Sequence, residues 1–170
     1  MRWLTLGMFT AVLVFSAASW AQTASQGESS MTGFAYCTYA DGRQVSVRYN
    51  QPQVKKEEAT EGKLWMPGGT RMDLFTETPL IIGGKNIPIG AFAMYFIPGR
   101  AAWTLVVNKN VTKDAPYNEQ EDLARDNMPT EKLGYTQDKL LIYFGHVQPK
   151  VCVMRVDYGK VRSTVNITQQ

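Results

Sequence analysis

Between Arg43 and Asn50 every second residue is apolar: Val45, Val47 and Tyr49 alternate with Gln44, Ser46 and Arg48. A chain with this period lines one face of a strand with apolar groups and the other with polar ones, and no helix can do that. Asp41-Gly42 precedes the run and Phe34 to Tyr39 lies before it, so the pattern predicts a hairpin with Asp-Gly in its turn.

The same period returns down the chain. Thr70 to Glu77 sets Arg71, Asp73 and Phe75 against Met72 and Leu74, while Lys63 to Met66 reads as a short strand stopped by Pro67-Gly68-Gly69. Leu80 to Ile82, the Gly83-Gly84 turn and Asn86 to Gly90 form a small corner. Ala91 to Ile97 and Ala102 to Asn108 are apolar on both faces, the mark of central strands covered on two sides. The run Lys55 to Glu61 fits a short helix or a solvated loop. One helix is expected after Asn118, with Glu121 completing a capping box and Leu123 and Ala124 giving an apolar face. Strands follow over Lys139 to Gly145, Val151 to Val156 and Lys160 to Thr168, the last pair turned by Tyr158-Gly159. Many short strands, frequent turns and one short helix predict a mainly β, antiparallel β-sandwich or jelly-roll-like barrel.

The start of the chain carries an address. Arg2, an apolar stretch from Trp3 to Ala18 and small residues at Ser19 and Ala21 make residues 1–21 a secretory signal peptide. The alternative, a membrane anchor, needs about 20 apolar residues, and polar Gln22 and Thr23 follow too soon. We expect a flexible lead-in over residues 22–33 and a single domain over 34–170, periplasmic or secreted, with no stable membrane span after cleavage. The chain has Lys+Arg 18 and Asp+Glu 15, net +3, and loses only Arg2 with the signal. Its mild and dispersed positive charge argues against nucleic acid as a partner, because a nucleic-acid footprint clusters Lys and Arg on one element.

Cys37 and Cys152 are the two cysteines. In an oxidising compartment a disulfide is the simplest reading, with two buried thiols or one reactive thiol as alternatives. With His146 they lack metal-ligand spacing, so neither a metal nor another cofactor is expected.

Candidate chemistry is sparse. His146, the sole histidine, ends an apolar strand and is either a general base or a hydrogen-bonded structural residue. No Gly-x-Ser-x-Gly elbow exists to supply it with a nucleophile. Arg71 and Asp73 share a strand face and form either a fork for a polar ligand or a surface ion pair. Trp65 and Trp103, with Tyr95 and Tyr143, make either a binding platform or core. Scattered carboxylates nominate no glycosidase pair.

Several segments together resemble a bacterial exported family, domain of unknown function 2911. They are Val47-Arg48-Tyr49-Asn50-Gln51-Pro52, Lys63-Leu64-Trp65 and Ile81 to Phe92 with its Gly-Gly-Lys-x-x-Pro-x-Gly core. Phe96-Ile97-Pro98-Gly99, Trp103 to Lys109 and Asp122-Leu123-Ala124-Arg125 complete the set. The resemblance implies export and the fold, and brings no activity. Where members of that family carry Trp-Arg-x-Gly-Ala-Asn, this chain reads Gly69-Thr70-Arg71-Met72-Asp73-Leu74, so a site built on that stretch is altered here. Asn110-Val111-Thr112 and Asn166-Ile167-Thr168 match the glycosylation pattern, which a bacterial chain leaves bare. The expected role is an envelope module binding a ligand or protein partner. The alternative is a small hydrolase or isomerase around His146, Arg71 and Asp73.

Overall fold

A computed structural model describes residues 31–170, so the expected signal peptide and most of the lead-in lie outside the described residues. The strands are β1 (Thr32–Thr38), β2 (Gln44–Asn50), β3 (Met72–Thr76), β4 (Leu80–Ile82), β5 (Lys85–Ile87), β6 (Gly90–Ile97), β7 (Ala102–Asn108), β8 (Asp122–Gln148) and β9 (Val151–Gln169). They form one antiparallel sheet in the order β1-β2-β3-β6-β7-β8-β9-β4-β5, open at β1 and β5. Thr32 and Gly33, expected in the lead-in, already pair with Asn50 and Tyr49.

The alternation translates directly into facing. Val45, Val47, Tyr49, Met72 and Leu74 are buried, while Arg48 and Phe75 are exposed. β8 links the two halves of the sheet. Asp122 to Pro129 pairs with β7, and Thr130 to Gln148 pairs with β9. Laid straight at about 3.3 Å per residue, such a strand would be about 90 Å long. Breaks in register between Lys132 and Leu141 instead let it bend. Its far end comes back to β2, where the Tyr49 hydroxyl accepts from Ile142 N (2.9 Å) and donates to Ile142 O (3.2 Å). One core therefore contains Val47, Leu74, Phe96 and Leu105 from one half together with Leu140, Ile142, Met154 and Ile167 from the other. A disulfide between Cys37 on β1 and Cys152 on β9, with Cα atoms 6.3 Å apart, ties the halves across 115 residues.

Three sequence expectations need correction. The helix after Asn118 is a single 3-10 turn, Glu119–Glu121. Asn118 does cap it, accepting from Gln120 N at 3.1 Å, but the Glu121 carboxylate takes the Asn110 amide instead of closing a capping box. Leu123 and Ala124 belong to β8, whose cross-strand hydrogen bonds outweigh a marginal helix. Lys63 to Met66 contributes only one bridge, Trp65 to Phe96. Tyr158-Gly159 is not a turn, since β9 runs through it and the reversal occurs at Pro149-Lys150. Gly159, at φ 61°, instead switches the strand's facing. Before it Cys152, Met154, Val156 and Tyr158 point to the core, and after it Ser163, Val165 and Ile167 do. The expectation of a mainly β, antiparallel fold holds, with the strands in one continuous open sheet.

Candidate functional site

β6 and β7 are apolar on both faces, and the outer face has its own cover. Ala93, Tyr95 and Val106 form a second buried cluster against Leu64 and Tyr117. Those two residues come from the two long connections, residues 51–71 after β2 and 109–121 after β7. Long connections laid over a rigid sheet are the usual place for binding residues.

A cleft of about 510 Å³ opens between these connections. Met66 and Thr70 line one side, Lys113 and Asp114 the other, and Arg71, Asp73 and Tyr95 the floor. An adjoining hollow of about 330 Å³ shares Thr70, Arg71 and Asp73 and adds Arg48 and Asn50. The Asp73 carboxylate accepts from Arg48 Nη2 at 2.9 Å and lies 3.3 Å from Arg71 Nε. Arg71 reaches past it and donates to the carbonyls of Val111 (2.6 Å) and Thr112 (3.1 Å), so its fork grips the second loop. The Nε–Asp73 contact is close enough for attraction but is directed wrongly for a hydrogen bond. Arg71 Nε is therefore buried without an acceptor. On the facing loop Asp114 adopts φ 57°, a left-handed conformation that costs a non-glycine residue about 1 kcal/mol or more.

Beneath that loop, Tyr117 donates to Asp122 Oδ2 (2.7 Å) and accepts from Arg125 (2.7 Å), while Asn108 donates to Asp122 Oδ1 (2.9 Å). Burial, and then the bond to Asp122, push the Tyr117 phenol up to about 12. The network fixes the base of the loop that carries Lys113 and Asp114.

The predicted site residues separate into groups. Arg71 and Asp73 line the same cleft. Trp65 and Trp103 meet edge to face at 5.7 Å, both buried, and Tyr95 is buried as well. Tyr143 is half-buried, with the guanidinium groups of Arg155 and Arg162 5.9 Å and 5.7 Å from its ring centre. His146 is exposed on β8, paired with Cys152, and lines neither of the hollows that hold Arg71 and Asp73.

Sequence reading missed Lys113 and Asp114, which stand in an unpatterned loop. It also missed the pair formed by buried Asp157 and Arg162, joined by two bonds of 2.7 Å. Five residues apart on a regular strand, these would face opposite sides; the switch at Gly159 brings them together, and a glycine inside an alternating run was the available signal. Among the described residues no group of three or more His, Cys, Asp or Glu is placed to hold a metal. Nor is any helix there long and apolar enough to cross a membrane.

A family model described as a protein of unknown function (DUF2911) matches residues 32–167, from the first residue of β1 nearly to the end of β9. No curated protein and no solved structure gives a significant match. The match takes in both long connections and every residue of the cleft between them, and on that extent the chain belongs to the DUF2911 family.

Proposed function

We propose that the protein is an exported binding module whose ligand site is the cleft floored by Arg71 and Asp73. Two local costs meet in it: the buried Arg71 Nε, which lies 3.3 Å from Asp73 without an aligned hydrogen bond, and a left-handed aspartate. Such costs persist where surrounding structure enforces them, and their meeting in one cleft favours binding over a purely structural role. Arg71 and Lys113 balance Asp73 and Asp114, which suits a small polar ligand carrying both donors and acceptors, such as a saccharide or a zwitterion. The signal-like start and the Cys37–Cys152 bond support export to the periplasm or beyond.

The β-sandwich description goes with this reading, taking the two halves of the sheet as layers around the shared core. The hydrolase or isomerase alternative loses its general base, because His146 stands apart from the cleft. A protein partner has one supporting observation: Phe34, Tyr36 and Phe75 are 64%, 57% and 37% exposed beside Arg48 on the adjoining face.

The test is a thermal-shift screen of Gln22–Gln170 against saccharides, amino acids, peptidoglycan fragments, lipids and divalent metals. A saturable rise in Tm with a polar ligand, lost in Asp73→Asn, is expected. No shift with any class would overturn the small-ligand reading and direct the search to protein partners.

A further inference from the structure

A second cleft, of about 310 Å³, lies on another part of the surface and shares no residue with the first. Its floor is apolar: Val54, Ala59, Pro98, Trp103, Tyr158 and Val161. Its rim is acidic, with Glu57, Glu58 and Glu61 against a single cation, Arg100, which is already paired with Glu61 at 2.9 Å. We propose that this cleft is a binding site for small organic cations, amines or quaternary ammonium compounds with an apolar body.

The geometry favours that class for three reasons. First, the site is preorganised. Glu57 Oε1 accepts from Trp65 Nε1 at 2.5 Å, and Gly68 N donates to the same carboxylate at 2.9 Å to Oε2. The Tyr158 hydroxyl donates to the Glu57 carbonyl. The charge is thus held beside the aromatic wall by bonds made within the fold. Second, Trp103 and Tyr158 line the cleft and both pack on Trp65, at 5.7 Å and 4.8 Å, so this wall is fixed in place. A fixed apolar wall suits the apolar body of such a ligand. Third, the residues lining the cleft include three carboxylates and one guanidinium, an excess that favours a cation over an anion. Burial chiefly pushes the Tyr158 phenol up to about 12, and the charge of Glu57 adds to it. The volume is at the lower end of small-molecule sites, which limits the occupant to roughly one ring or a short alkyl chain plus its charged head.

Three probes of one shape test the proposal: 2-phenylethylammonium, neutral 2-phenylethanol and anionic phenylacetate, followed by calorimetry and tryptophan fluorescence. The cation is expected to bind saturably and perturb the tryptophan emission, with the alcohol about tenfold weaker and phenylacetate silent. Glu58→Gln, an exposed change that leaves the fold intact, should weaken the cation about fivefold and leave the alcohol unchanged, as loss of one charge near a surface implies. Ala59→Phe fills the cleft and should abolish both. Equal affinity for ammonium and alcohol, or no binding of any probe, overturns the proposal. Asp73→Asn leaves this binding untouched, so failure of the polar cleft and failure of this one are read separately.

Discussion

The side chain of Tyr49 on β2 takes the place of a neighbouring strand for Ile142 on β8, its hydroxyl bonded to both the amide and the carbonyl of that residue. β9 satisfies β8 on one side only. The chain leaving β2 continues the stitching, with Leu140 N donating to Pro52 O and Val54 N to Asp138 O. One phenol thus helps hold the two halves of the sheet over their common core.

Tyr49→Phe removes a buried donor and acceptor together and leaves two backbone groups unpaired. The expected loss is about 2–4 kcal/mol, since each unmet buried group costs about 1–3 kcal/mol and some relaxation is available. Urea unfolding of the variant measures it, and a loss below about 0.5 kcal/mol would mean that water replaces the hydroxyl.

Breaking the Cys37–Cys152 bond should lower stability by about 2–5 kcal/mol, because the loop it closes spans most of the domain. The comparison is urea unfolding of the oxidised protein against the Cys37→Ser/Cys152→Ser double variant. Cys152 is fully buried, so mild reductant should act slowly on the native protein and quickly once it is unfolded.

Arg71→Lys is expected to loosen residues 109–117 with little effect elsewhere. A single ammonium lacks the fork that spans the Val111 and Thr112 carbonyls. Hydrogen exchange should quicken in that loop while the strands keep their protection and global stability falls by about 1 kcal/mol or less. Uniform quickening throughout would show that Arg71 acts on the whole fold.

Stability should decline in alkali. The Tyr117 and Tyr158 phenols are pushed up to about 12 from an ordinary value of 10, chiefly by burial. The folded state therefore holds these protons more tightly than the unfolded state. The resulting stabilisation is complete below about pH 10 and is lost as pH rises through about 12. Urea midpoints followed from about pH 8 to 12 should fall across that window, and less steeply in Tyr158→Phe. A flat profile would show that the phenols titrate freely.

Much of this fold was legible in the sequence. Alternation over Gln44 to Asn50 and Thr70 to Glu77 assigned strands and their buried faces, and double-sided apolarity over Phe92 to Ile97 marked a strand covered on both sides. These are local properties, fixed by the direction in which successive side chains leave the backbone. Two of the readings that failed were also local, at Asn118 and Gly159, where one residue type serves several conformations. A capping asparagine begins a single turn as well as a helix, and a left-handed glycine reverses the facing of a strand as well as its direction.

By itself the sequence determined most of the strand-forming segments, the faces they bury and the presence of a cysteine pair. Only the tertiary structure decided that Cys37 meets Cys152, that Arg71 spends its fork on carbonyls 40 and 41 residues away, and that Lys113 and Asp114 face Asp73 across a cleft. The reason is one of range. Periodicity records which side of its own backbone a residue occupies. The partner it finds there depends on how strands distant in sequence register and bend around a shared core, as β8 does between Lys132 and Leu141.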